Sequence, residues 1–149
     1  MGNDDYAPRY RDLKARQRSD DLALEVYPLT RKLKSIDHSL SSQVLRAAIS
    51  APANIAEGYG RSSRKEFVQY LNQAHGSLFE LDYWFHFLQR VGLLDSASGD
   101  RLTDECRQSS RLVYGLMRAA RTETRDHADT RRYLREDAAI YGALDGLGE

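Results

Sequence analysis

The chain has 149 residues, with 22 basic and 22 acidic side chains that cancel to a formal net charge of zero. That length supports one hydrophobic core, and the charge balance excludes a uniformly basic nucleic-acid binder. A single cysteine, Cys106, excludes an internal disulfide and a cysteine-based zinc site within one chain; on a helix, a lone thiol reads as a small buried hydrophobe. No apolar run is long enough to span a bilayer. The opening residues M-G-N-D-D-Y lack the basic and apolar regions of a signal peptide, so the expectation is a cytoplasmic protein with no membrane partner.

In chain order, the pattern predicts an N-terminal extension over 1–9, a four-helix bundle over 10–124 and a tail over 125–149. Helix one is expected from about Tyr10 to Ser35, with Leu22, Val26, Leu29, Leu33 and Ile36 at the alternating four- and three-residue spacing of a bundle seam. Pro28 lies inside it and removes one backbone hydrogen bond, which means a kink or two shorter pieces. Helix two, about Ser39 to Glu57, carries Leu40, Val44, Ala48, Ala51 and Ile55 on one face. Gly58 and Gly60 are expected to stop it, with Gly58 as the left-handed residue just past its end. Ser63-Arg64-Lys65-Glu66 then forms a capping box that restarts the chain as helix three.

Helix three, Arg64 to Val91, has the most regular pattern: Phe67, Leu71, Ala74, Leu78, Leu81, Phe85 and Leu88. Four such heptads imply long antiparallel packing at a shallow angle. Gly92 ends it. Asp95 or Ser96 can cap helix four, which continues through Leu102, Cys106, Val113, Leu116 and Ala120 to about Thr124. Short connections make each neighbour antiparallel, so the expected fold is an all-α, up-down-up-down four-helix bundle. Beyond Arg125, Leu134, Ala138, Tyr141 and Leu144 fit one face of a short amphipathic helix capped by Asp129 or Thr130, or a frayed charged tail.

The segment P-A-N-I-A-E-G-Y-G-R from Pro52 to Arg61, with K-E-F just after it and G-S-L-F-E-L from Gly76 to Leu81, closely resembles the bacterial four-helix-bundle family of 23S rRNA intervening-sequence proteins. The resemblance runs from about Tyr10 to Arg121. The family takes its name from gene location, inside insertions in rRNA genes. A related group, the accessory variability proteins of diversity-generating retroelements, shares the bundle and binds nucleic acid with a reverse transcriptase. The resemblance implies a homo-oligomer, as a ring-like pentamer, with structured RNA or a reverse transcriptase as partner. This chain departs from the family pattern at Arg16, where an aromatic residue is common, and in its long tail.

The run F-E-L-D-Y-W-F-H-F-L from Phe79 to Leu88 places aromatics nearly all round helix three. Tyr70 and Trp84 fall on one heptad line and Phe87 on another, both outside the core line. An uncovered patch of that kind marks an interface, and homo-oligomerisation is the economical reading; the alternative is that helices one and four cover it. Polar residues adjoin the apolar stripes of helices two and three: Gln43, Arg46, Ser50, Asn54 and Glu57 on one, Gln73, Ser77 and Glu80 on the other. Facing stripes of this type suggest a hydrogen-bond network, with Arg46 or Asn54 against Ser77 and Glu80, that sets register. Asn54, Glu57, Gly58, Ser77 and Glu80 are therefore read as structural.

Spacing does not favour an enzyme. A di-iron bundle needs Glu-x-x-His on two helices, but Glu57, Glu66, Glu80 and Glu105 are followed three residues later by Gly60, Gln69, Tyr83 and Gln108. Asp82 and His86 share a face and could make two ligands, yet a histidine in an aromatic run reads as packing. Gly58-Tyr59-Gly60 follows a helix rather than a strand, so it is no dinucleotide fingerprint. No catalytic residue, metal site or cofactor is expected.

Alternating helix direction gathers basic residues at one end. Helix one supplies Lys14, Arg16 and Arg18 after Arg9 and Arg11; the turn before helix three supplies Arg61, Arg64 and Lys65; helix four ends with Arg118, Arg121 and Arg125. Asp37, Asp95, Asp100, Asp104 and Glu105 fall at the opposite end, while Asp12, Asp20, Asp21, Glu66 and Glu123 partly neutralise the basic one. A neutral chain with such a pole can still contact phosphate backbones, without base-reading and with strong salt dependence. Two functions are expected: a non-enzymatic, oligomeric, sequence-independent nucleic-acid-binding accessory factor, or an oligomeric protein-interaction scaffold that binds no nucleic acid.

Overall fold

A computed structural model of the protein describes residues 10–122. A short 3-10 turn, Tyr10–Asp12, leads into α1 (Lys14–Lys34), α2 (His38–Tyr59), α3 (Arg64–Arg90) and α4 (Ser96–Thr122). Each helix packs along its successor, and α1 meets α4 over a smaller area to close the bundle. The all-α, four-helix expectation holds. The expected tail helix and its caps lie outside the described residues.

The core follows the apolar periods. On α3 every residue of the expected seam, Phe67 through Leu88, is buried. On α4 the buried line is Leu102, Cys106, Ser109, Val113, Leu116 and Ala120, with Met117 beside it. The α2 seam is built of small residues, Ala47, Ala48 and Ala51 between Val44 and Ile55, which lets neighbouring backbones approach. On α1 the seam differs from expectation. Thr30 is buried and Leu29 only partly so, while Ile36, past the end of the helix, is 64% exposed. Thr30 satisfies its hydroxyl by donating to the Tyr27 carbonyl at 2.7 Å, and its own carbonyl accepts from the buried Ser41 hydroxyl of α2 at 2.7 Å. Pro28 and Pro52 both lie inside continuous helices.

Local chemistry sets the helix ends. The Ser63 hydroxyl accepts from the Glu66 amide at 3.1 Å and donates to the Glu66 carboxylate at 2.9 Å, closing the first turn of α3. Asp37 caps α2 by accepting from the Leu40 amide at 2.9 Å, and Asp95 caps α4 by accepting from the Ser98 amide at 2.9 Å. Those bonds hold the Asp95 carboxyl below its usual pKa. At the end of α3, Gly92 has φ 77°. Its amide bonds the Gln89 carbonyl, and the Leu93 amide reaches the Leu88 carbonyl at 2.9 Å, the paired bonds of a Schellman ending.

Gly58 does not end α2. The helix continues to Tyr59, and the capping position is Gly60 at φ −76°, in the right-handed region. Gly58 is instead a buried helical residue packed directly against α3. A Cβ built there would lie 2.5 Å from the Tyr70 Cβ and 3.1 Å from Phe67 Cδ2. The position demands absence of a side chain rather than a left-handed backbone.

Candidate nucleic-acid interface

Ion pairing divides the expected basic residues into two groups. Arg61 is held in place: it donates to Glu57 Oε1 at 2.6 Å and to the Tyr70 hydroxyl at 2.7 Å, and its guanidinium lies 5.0 Å from the Tyr70 ring centroid. Tyr70 completes the triangle by donating to Glu57 Oε1 at 3.0 Å. The bonds from Arg61 and then Tyr70 depress the Glu57 pKa. This cluster joins the last turn of α2 to the start of α3, so Arg61 and Tyr70 both serve the turn. Arg16 is likewise engaged, paired with Asp20 at 3.3 Å and lying 5.8 Å from the centre of the Tyr10 ring. Arg18 donates to Glu105 Oε2 at 3.1 Å and also bonds Gln108.

The Arg18–Glu105 pair corrects the expectation of cleanly separated poles, which places these two charges at opposite ends. The 21 residues of α1 stand beside the 27 of α4, so the ends of the two helices cannot all coincide. A second pair, Arg101 with Glu25, keeps the same antiparallel register.

Four of the remaining basic residues lie along α4, while Arg31, Lys32 and Lys34 in the last turn of α1 and Arg90 in the last turn of α3 are exposed at the other end of the bundle. Arg107, Arg111, Arg118 and Arg121 are exposed, and the spacing Arg107, Arg111, Tyr114, Arg118, Arg121 follows one helical face. None of these four arginines has a carboxylate within ion-pair distance among the described residues. Lys65, at the start of α3, is also exposed and without such a partner. Lys14 and Arg64 sit at the same end of the bundle and each has an interaction within the chain. Arg125 lies outside the described residues. Arg107 and Arg111 are absent from the sequence-derived set, although their four- and three-residue spacing from Tyr114 and Arg118 is readable in the chain. They fall outside a grouping of charge by helix ends because the stripe runs along the helix.

The structural residues converge as facing stripes. Ser50 and Ser77 share a hydrogen bond of 2.8 Å between hydroxyls, and the Asn54 amide donates to the Ser50 carbonyl and hydroxyl at 2.8 and 3.0 Å. Arg46 lies 3.7 Å from Glu80, which also accepts from Trp84 Nε1 at 3.4 Å. The aromatic surface on α3 differs in detail from the expected Tyr70, Trp84 and Phe87. Trp84 and Phe87 are half-buried, and the exposed rings are Phe79 (61%) and Tyr83 (55%). Tyr83, Trp84 and Phe87 form one cluster, with ring centroids 5.2 to 6.3 Å apart.

A groove of about 380 Å³ opens between α3 and α4 beside the arginine stripe. His75, Phe79 and Tyr114 supply its rings, and Arg107 and Arg111 its charge. Leu78 and Cys106 are the buried residues at its base. Burial, reinforced by the Asp82 and Glu105 charges, pushes the Cys106 thiol far above its usual pKa, so it remains a neutral, unreactive packing group. Burial lowers the pKa of His75. Among the described residues no three His, Cys, Asp or Glu side chains converge on a metal-sized site, and no helix is long and apolar enough to cross a membrane.

Comparison with known proteins places this architecture. A solved structure of a protein of unknown function from the S23 ribosomal protein family of Bacteroides thetaiotaomicron superposes with a TM-score of 0.66, covering 69% of this chain and 97% of the other at 24% sequence identity; at that identity the likeness shows the shared fold. No curated protein matches the chain. The family model described as 23S rRNA-intervening sequence protein matches residues 11–115, which contain the Pro52–Arg61 motif and most of all four helices, and the chain therefore belongs to the 23S rRNA-intervening sequence protein family.

Proposed function

We propose that this protein is a non-enzymatic accessory factor that binds structured RNA or an RNA/DNA intermediate through its phosphate backbone, in the cytoplasm and as a homo-oligomer. The observation that carries this reading is the exposed, unneutralised row Arg107, Arg111, Arg118 and Arg121 on one face of α4. Arginine forks suit phosphate oxygens, and a row at helical spacing can follow a backbone without reading bases. Lys65 extends the charge toward the start of α3. Arg16, Arg18 and Arg61 have their charge met within the chain and contribute less.

The oligomer, a homopentamer on the family resemblance, would bury the exposed Tyr83 together with the Trp84 and Phe87 rings clustered with it, leaving Phe79 in the neighbouring groove open, and each added copy would repeat the α4 row. A reverse transcriptase is a protein partner consistent with the same resemblance. The protein-scaffold reading retains one specific observation, the exposed Phe79–Tyr83 aromatic surface.

The test is a gel shift with an RNA hairpin at rising salt, beside sedimentation. Contact with about four phosphates gives a log–log salt slope of roughly −3 to −4. Charge reversal of Arg111, Arg118 and Arg121 to Glu should abolish the shift while leaving the sedimentation coefficient unchanged. Survival of the shift in that variant refutes the α4 face, and a monomer at micromolar concentration refutes the oligomer. Arg61 is unsuitable for reversal, because a glutamate there would face Glu57.

A further inference from the structure

We infer that the groove between α3 and α4 is a pocket for one unpaired nucleotide of a single strand, its base among His75, Phe79 and Tyr114 and its phosphate on Arg107 and Arg111. The inference rests on the nucleic-acid reading above and adds a ligand unit and a site that a phosphate-only face does not require.

Three features of the groove point to an aromatic anion. Its rings are already arranged around His75: the centroid of Phe79 lies 5.0 Å away and that of Tyr114 5.9 Å away. Phe79 and Tyr114 are 61% and 46% exposed, so each leaves an open surface against which a base can stack. Two guanidiniums without carboxylate partners flank these rings from positions one helical turn apart, Arg107 and Arg111. The volume of about 380 Å³ suits one nucleotide and is too small for a helix.

The polar atoms define an orientation. Asp82 lines the α3 side, with an Oδ1 that has no hydrogen-bond partner, and Ser110 lines the α4 side with an unpartnered hydroxyl. A carboxylate repels phosphate, so the phosphate belongs toward the exposed arginines and the base edge inward, near Asp82 and Ser110. Burial favours the neutral form of His75, which keeps that ring a stacking surface rather than a second charge. An apolar helix from another protein would satisfy none of these polar groups.

The occupant is a strand rather than a free nucleotide because the groove is open to solvent and its two arginines continue directly into Arg118 and Arg121 along α4. Phosphates on either side of a docked base would meet that row. Stacking platforms beside a basic track are the general solution for single-strand binding.

The experiment uses the full chain and a fluorescein-labelled single-stranded RNA dodecamer with 2-aminopurine at its centre, beside a blunt-ended RNA duplex, which offers phosphates but no unpaired nucleotide. Binding should quench the 2-aminopurine. Tyr114→Ala should weaken dodecamer binding about tenfold and remove the quench, Tyr114→Phe should retain both, and duplex affinity should change less than about twofold for either variant. Because Tyr114 lies on the surface, circular dichroism should be the same for all three proteins. Absence of quenching, or equal weakening of dodecamer and duplex by Tyr114→Ala, overturns the pocket while leaving the basic face intact. Displacement of the dodecamer by micromolar AMP overturns the strand assignment in favour of a free nucleotide. Failure of the wild-type protein to bind either RNA removes the basic face and the pocket together.

Discussion

Gly58 of α2 and Tyr70 of α3 meet so closely that a Cβ on the glycine would stand 2.5 Å from the Cβ of the tyrosine. This approach brings the Tyr70 hydroxyl within 3.0 Å of Glu57 and 2.7 Å of Arg61, so one missing side chain permits both the packing and the polar closure of the turn. Gly58→Ala should force the helices apart and cost about 1–3 kcal/mol, read as a lower urea midpoint. Gly76→Ala is the control. It lies on the exposed face of α3 with nothing within 4 Å of a built Cβ, and should stabilise by about 0.5–1 kcal/mol through helix propensity.

Ser109 presents the opposite case, a side chain with one group too many. It is fully buried on the core line of α4, and its hydroxyl has no hydrogen-bond partner. An unmet buried hydroxyl costs on the order of 1–3 kcal/mol, and removal also leaves a small void. Ser109→Ala should therefore raise stability by about 1 kcal/mol, measured by urea denaturation with an unchanged m-value. A loss of stability would show that the hydroxyl has a partner in solution.

Among the described residues Phe85 is the largest fully buried side chain, on the α3 seam. Truncation to alanine removes the packing of a whole ring and leaves a cavity, so Phe85→Ala should cost about 3–5 kcal/mol. For a domain of ordinary stability that approaches the full margin, and thermal unfolding should move down by tens of degrees or lose cooperativity.

Glu57 connects stability to pH. Hydrogen bonds from Arg61 and Tyr70 hold its folded-state pKa below the ordinary 4.5. A depressed carboxylate contributes stability at pH values above its unfolded pKa, and that contribution is lost as pH falls through the folded value. The Tm of the wild type should thus exceed that of Glu57→Gln at neutral pH, with the difference shrinking as pH falls below 4.5 and closing once the folded-state carboxylate is protonated. A difference that persists in acid would place the effect in packing rather than charge.

The helices and their ends were legible in the sequence because their causes are local. A four- and three-residue apolar period specifies the α3 seam, and every member from Phe67 to Leu88 is buried. Ser63, Asp95 and Gly92 act on backbone groups within five residues of themselves, so their chemistry could be read without knowledge of a neighbour. Small departures came where a local rule met a partner: Ile36 keeps the seam spacing but lies past the helix end, and Thr30 replaces Leu29 at the contact with α2.

The tertiary structure alone decided what Gly58 does and which arginines remain available. A glycine near a helix end reads as a terminator unless the opposing helix is known; here the crossing with α3 makes its missing Cβ the requirement. Likewise, Arg18 and Arg107 look equivalent as sequence, but Glu105 neutralises the first, while no carboxylate among the described residues approaches the second. Charge availability depends on what lies within about 4 Å across helices, and that distance is set by register and helix length, which periodicity does not contain. The same step placed His75 and Phe79 of α3 beside Tyr114 of α4, joining segments almost forty residues apart into one groove that neither helix possesses by itself.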